Sequence, residues 1–281
     1  MHTTTIRQTV HSFGLAVAVL FAGAVAGCYQ VPVTGRAALS TVSDQAVKDL
    51  SQKAFDELKK KHPISRNQAL KDRVQRVGER LAKVSFWDVP NADWEFVVFE
   101  VPNQINAFAM SGGKVGVFTG LFKIIKNDDQ LASVLAHEIA HVSAKHVNER
   151  LSQQNAIQGG GLLVGGIMST TGTGALTANA VLDAYGLSTG GIAIGWDRDK
   201  EKEADHIGVM YMARAGYNPE ESIQVIENLE AATATAKAAM PAFLSTHPSN
   251  PERILQLLDL MPKALEAYEK SRVKPVIVTP K

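Results

Sequence analysis

Residues 135–146 read LAHEIAHVSAKH, which places His137, Glu138 and His141 in the order H-E-x-x-H. Around the motif Leu131, Val134, Leu135, Ile139 and Val142 recur at helical spacing, and Asn127 or Asp128 stands where an N-cap belongs. At about 100° per residue these apolar side chains share one face, and Glu138 falls inside that face. His137 and His141 lie side by side on its edge, while Ala132, Ala136 and Ala140 line the opposite surface. Small residues there predict close packing against a second element, and so a helix buried nearly all round. A carboxylate within an apolar stripe is costly unless it is paired, protonated or beside a cation. Zinc would be such a cation. Two histidines at i and i+4 can ligate one ion, and the intervening Glu138 can reach the attacking water. The plainer alternative is a pair of core histidines with a buried salt bridge.

A catalytic zinc needs a third protein ligand and an open position. Residues 198–208, RDKEKEADHIG, hold Glu201 and Asp205 four apart, on one helical face. Glu201 could bind the ion while Asp205 accepts a ring N–H from a ligand histidine. Spacing alone leaves Glu203, Asp205, His146 and His206 open as ligands, and the usual reading of such a charged run is a solvated helix start.

The remaining composition bounds the class. With 281 residues, 45% hydrophobic and 20% charged, the chain can bury one sizeable core or two small ones. Its 29 Lys+Arg against 28 Asp+Glu give no general pull toward nucleic acid or anionic lipid, so no nucleic-acid partner is expected. Arg7 precedes FGLAVAVLFAGAVAG, the length of a signal-peptide apolar region and short of the roughly 20 residues that span a bilayer. That stretch ends in VAGC at 25–28, and Cys28 is the only cysteine. The pattern resembles a bacterial lipoprotein box. It implies a signal peptide over 1–27, lipidation at Cys28 and a tether over 28–42. Tyr29 follows, with no Asp to suggest inner-membrane retention, so by resemblance to lipoprotein sorting the outer membrane, facing the periplasm, is favoured.

Thr41 to Asp44 reads as a capping box before a helix carrying Val47, Leu50, Ala54 and Leu58. Leu70, Val74, Val77, Leu81 and Val84 mark a second helix. WEFVVFEV, INAFAM and KVGVFTG then read as strands, with a hairpin turning at Ser111-Gly112-Gly113. Beyond Leu121 everything looks helical apart from connectors. In 155–196 Asp183 is the only charged residue; Gly and Thr clusters such as STTGTG argue against a transmembrane span and for buried helices joined by a mobile glycine-rich connection. The predicted class is mainly α with a small antiparallel β-sheet, in one domain over 43–265 followed by a loose tail over 266–281.

PVTGR at 32–36, NAFAMSGGKVGVFTGL at 106–121, LAHEIAHVSAKH, EKEADHIG at 201–208 and THPSNPERI at 246–254 together resemble one zinc metallopeptidase family. It includes the CAAX prenyl proteases, the HtpX heat-shock proteases and bacterial envelope lipoprotein proteases. The resemblance implies a zincin-like fold with H-E-x-x-H on a central helix and one zinc per chain, held by His137, His141 and Glu201. Asp205 would be the supporting acid and Glu138 the general base. Asn106, Ala107, Phe108 and Ala109 would form a strand edge to which an extended substrate could add. His247 would stabilise the oxyanion or occupy the open zinc position at rest, with Arg253 anchoring its loop or the carbonyl. WDR at 196–198 stands where many relatives have an aromatic-Ser-Arg sequence. The expected function is cleavage of unfolded or misassembled envelope proteins. The expected partners are such substrates, the membrane through the lipid anchor, and outer-membrane assembly machinery. The alternative is an outer-membrane chaperone or assembly factor that binds unfolded chains with little proteolysis.

Overall fold

The computed structural model of the chain describes residues 28–164, 176–187, 196–235, 242–248 and 250–273. The expected signal peptide, and most of the glycine-rich connection within 155–196, lie outside the described residues.

Two short strands come first, β1 (Cys28–Gln30) and β2 (Ala37–Leu39), paired antiparallel. This corrects the expected tether: Val31 and Ala38 are buried in the main core, and an apolar side chain removed from water holds its segment in place. Helix α1 (Asp44–Lys61) follows, capped by Ser43, whose side chain accepts from the Ala46 N–H. The expected Thr41 capping box is therefore displaced. The main-chain N–H of Thr41 is instead bonded to Ser152 Oγ. Helix α2 (Gln68–Val84), capped by Asn67, buries Val74, Val77 and Leu81.

The sheet contains β3 (Glu95–Phe99), β4 (Ala107–Met110) and β5 (Lys114–Phe118) in the order β3-β5-β4. The predicted hairpin joins β4 to β5, and Gly112 and Gly113 adopt φ of 85° and 86°, which other residues rarely do. β3, however, runs parallel to β5, so the sheet is mixed rather than wholly antiparallel. The reason is that residues 100–106 cross the end of β5 instead of turning back on β3, leaving β3 on the far side. Gly120 permits that crossing, because a Cβ there would lie 2.2 Å from the Gln104 carbonyl oxygen.

Side-chain alternation along β4 divides the interior. Ala107 and Ala109 join the main core with Leu131, Leu135 and Ile139, while Phe108 and Met110 join a second core with Phe55, Phe99 and Phe118. The first core belongs to α3 (Asp128–Ser143), capped by Asn127 and buried on nearly every side as its alanine face predicts. Helices α4 (His146–Val164), α5 (Ala178–Ala184), α6 (Arg198–Arg214), α7 (Glu221–Thr235), α8 (Ala242–Thr246) and α9 (Pro251–Val273) complete the described fold. α9 continues helically past 265, so the expected tail begins later than the sequence suggests. No described helix is long and apolar enough to cross a membrane.

Candidate metal centre

The site lies where α3, α6 and the turn between α8 and α9 meet. α3 supplies His137, Glu138 and His141 from adjacent positions on its surface. α6, capped by Asp197, supplies Glu201 and Asp205 one turn apart. The two helices come unusually close at Gly208, where a Cβ would lie 3.0 Å from the His137 nitrogen. That approach brings Glu201 Oε1 to 3.3 Å from His141 Nε2 and Oε2 to 3.5 Å from His137 Nε2. His247 follows α8 directly and points inward, its Nδ1 3.2 Å from His137 Nε2 and 2.9 Å from Glu201 Oε1. One ligand atom from each of His137, His141, Glu201 and His247 falls within 4.8 Å of the others, and all four residues are buried.

The surrounding contacts orient these groups. His137 Nδ1 lies 3.0 Å from Asp205 Oδ1; a carboxylate only accepts, so His137 donates from Nδ1, and the neutral ring would carry its lone pair on Nε2, toward the cluster. Arg253 holds Asp205 through two bonds, Nε to Oδ2 at 2.6 Å and Nη2 to Oδ1 at 2.8 Å. It also bonds the Pro248 carbonyl at 3.2 Å, and its own N–H is capped by Asn250. Arg253 thus anchors the His247 turn rather than facing the open side. Glu138 is near the Ala109 main-chain N–H, which favours its charged form, and lies 3.4 Å from His247 Nε2.

The charge arrangement fits a divalent cation. Three buried carboxylates, Glu138, Glu201 and Asp205, face one guanidinium. Two of their oxygens, Glu138 Oε1 and Glu201 Oε2, make no hydrogen bond; Glu201 Oε2 is 2.8 Å from Arg253 Nη1, but no N–H is aimed at it. Such orphaned acceptors are costly in a dry interior unless an ion meets them. Burial opposes charge on His137, yet Glu201 and Asp205 push its pKa up to about 10, so the site demands positive charge near its centre. Burial, with the Glu201 charge beside it, raises the Glu138 carboxyl against the opposing pull of His247 and His137, as suits a group that must take a proton. The donor set of two or three imidazoles and one carboxylate is one that zinc accepts.

Of the alternatives that spacing left open, His146 and Glu203 stand behind His141 and His206 is not in the cluster. Ala107, Phe108 and Ala109 on β4, and Asn106 just before it, are buried, and the unpaired side of β4 runs beside α3 with Ala109 near Glu138. Sequence reasoning missed two aromatic supports. Trp196 stacks on His141 with centroids 4.7 Å apart, and Phe243 stacks on His247 at 4.5 Å. Trp196 was visible only as part of an atypical tripeptide, and nothing in local spacing marks Phe243. An apolar cavity lined by Val134, Val225, Ile226, Leu229 and Phe243 opens beside His137.

Residues 68–261, more than half of the chain, match the family described as Peptidase family M48. The chain is similar to the mitochondrial metalloendopeptidase OMA1 of Saccharomyces cerevisiae, 33% identical over 82% of this chain and 66% of the relative. It is also similar to the beta-barrel assembly-enhancing protease of Escherichia coli, 28% identical over 80% of this chain and 45% of that one. The putative beta-barrel assembly-enhancing protease of Vibrio cholerae is 31% identical over 70% of this chain and 40% of its own length. The chain therefore spans about two thirds of the yeast relative and less than half of the bacterial ones.

Proposed function

The chain belongs to peptidase family M48, with the buried histidine and carboxylate group of a metallopeptidase, and from that premise we propose that it is a zinc-dependent endopeptidase. The single observation carrying this reading is the convergence of four ligand atoms within 4.8 Å beside the Glu138 carboxyl. His137, His141 and Glu201 would hold the zinc, which when bound supplies Lewis acidity to a scissile carbonyl and acidifies the attacking water. Glu138 takes the proton of that water and delivers it to the leaving amine. The free side of β4 gives an extended chain a backbone edge along which to align.

We place this activity in the bacterial cell envelope, on unfolded or misassembled proteins. The VAGC sequence at 25–28 and the exposed position of Cys28 at the start of β1 support a lipid anchor there, and the outer membrane facing the periplasm follows from lipoprotein sorting. Similarity to relatives named for β-barrel assembly supports a quality-control role. The test is cleavage of a reduced, unfolded protein by the full chain, with and without a chelator. Zinc-dependent fragments are expected; suppression of aggregation with no fragments would replace the protease by a chaperone.

His247 closes this site at rest. Its Nδ1, 3.2 Å from His137 Nε2 and 2.9 Å from Glu201 Oε1, would take the open position on the zinc, and in this reading the ring must withdraw for turnover. In the cobalt-substituted protein, His247→Ala is expected to exchange a nitrogen ligand for water, changing the visible absorption spectrum while one metal per chain remains. A spectrum identical to the wild type's excludes the resting-state role.

A further inference from the structure

His146 opens α4 and is 1% exposed. It is engaged at both nitrogens: Nε2 lies 3.0 Å from Glu203 Oε2, and Nδ1 lies 2.7 Å from Nδ1 of His141. A carboxylate can only accept, so His146 gives its Nε2–H to Glu203. Two Nδ1 atoms at 2.7 Å need one proton between them, and which ring owns it decides what His141 can do. If His146 owned it, His141 would carry its own proton on Nε2, the atom that faces His137 and Glu201, and could not ligate. If His141 owns it, Nε2 is left with its lone pair toward the centre.

We propose that Glu203 and His146 are positioning residues that fix the tautomer of His141, a two-link counterpart of the single Asp205 contact behind His137. The inference rests on the metal reading above. Its outer end is the N-terminal hairpin. Arg36 Nε lies 3.0 and 2.8 Å from the two oxygens of Glu203, and the Thr34 hydroxyl donates to Oε1 at 2.7 Å. Arg36 also pairs with Glu149 at 2.6 Å, joining α4 to the same clamp. Between β1 and β2 Val33 is held at φ 66°, a conformation that β-branched residues avoid. The strained turn delivers Thr34 and Arg36 to Glu203. The segment next to Cys28 is thereby a working part of the metal centre, and its hydrogen bonds pass through Glu203 and His146 to a ligand.

The test compares wild type, His146→Leu and His146→Gln as full chains, by competition with a chromophoric zinc chelator. His146→Leu, which cannot accept the His141 proton, is expected to weaken zinc binding about 10- to 100-fold. His146→Gln, whose amide oxygen can accept from His141 and whose amide nitrogen can donate to Glu203, is expected to recover most of the loss. Nitrogen-15 spectra of histidine-labelled wild type, needing no substitution, should show His146 protonated at Nε2 and His141 at Nδ1. Equal zinc affinity in all three chains overturns the inference, as does equal weakening in both variants or a His146 ring protonated at Nδ1. A wild type that binds no zinc overturns the metal reading first, and this inference with it.

Discussion

Glu138→Gln is expected to keep one zinc per chain and lose turnover of an unfolded substrate by about 10²- to 10⁴-fold, the range a positioned general base supplies. The substitution is nearly isosteric, so the local packing persists. It removes the one property the site needs at that point, a group able to take a proton. Glu138 is buried beside the cluster but its Oε1 has no hydrogen-bond partner, which fits a carboxyl kept for a reacting water rather than for structure. The fall should appear in kcat with KM little changed, because the edge of β4 remains. Metal content by atomic absorption and kinetics on a quenched peptide decide it: substantial turnover with full zinc removes Glu138 from the mechanism, and lost zinc makes it a ligand instead.

Arg253→Met is expected to destabilise the fold by about 3–5 kcal/mol, the usual cost of stranding one side of a buried ion pair. Arg253 is 4% exposed and is shared by Asp205 and Glu201. Without it two buried carboxylates, one turn apart on the same face of α6, have no fixed cation. Zinc should return part of the loss by taking over Glu201, so the deficit in thermal unfolding should be larger in chelator than in saturating metal. The pH dependence has a definite sign. Burial disfavours charge on both carboxyls, but His247, Arg253 and His137 hold Glu201 well below the ordinary glutamate value, and Arg253 with His137 lowers Asp205. Groups with depressed folded pKa values stabilise above their unfolded pKa, near pH 4, and lose that contribution as pH falls through the folded value. In Arg253→Met the acid loss should begin at higher pH than in wild type. A variant within 1 kcal/mol of wild type at neutral pH, in chelator and in zinc, would show that the guanidinium is not compensating these charges.

The parts of the site legible in sequence are those set by local geometry. His137, Glu138 and His141 are arranged by a single helix, and the alanines on the surface opposite its apolar stripe announced close packing, which α6 makes beside Ala136 and His137. Glu201 was legible only as one of several acids and histidines, since linear spacing cannot say which side of α6 faces α3. The cap at Asn127 was readable, whereas the one at Ser43 was misplaced because Thr41 gives its main-chain N–H to Ser152, far along the chain. The hairpin at 111–113 was correct for the same local reason that the direction of β3 was not: turn chemistry is local and strand order is not. Residues 28–42 looked like a tether because their turn residues show no periodicity. They are held by Val31 in the core and by Arg36 on Glu149 and Glu203, neither of which has a signature in the strand itself.

What the sequence determined by itself is two pairs of chemical groups, His137 with His141 and Glu201 with Asp205, because helical rise and turn bring positions i and i+4 together wherever they occur. Only the tertiary structure decided that these pairs face each other, that His247 enters between them, and that Arg36 from the first hairpin stands behind Glu203. Those relations depend on how closely backbones approach at Gly208 and on which buried charges must be compensated. Both are set by packing between segments distant in the chain, and the spacing within any one segment does not contain them.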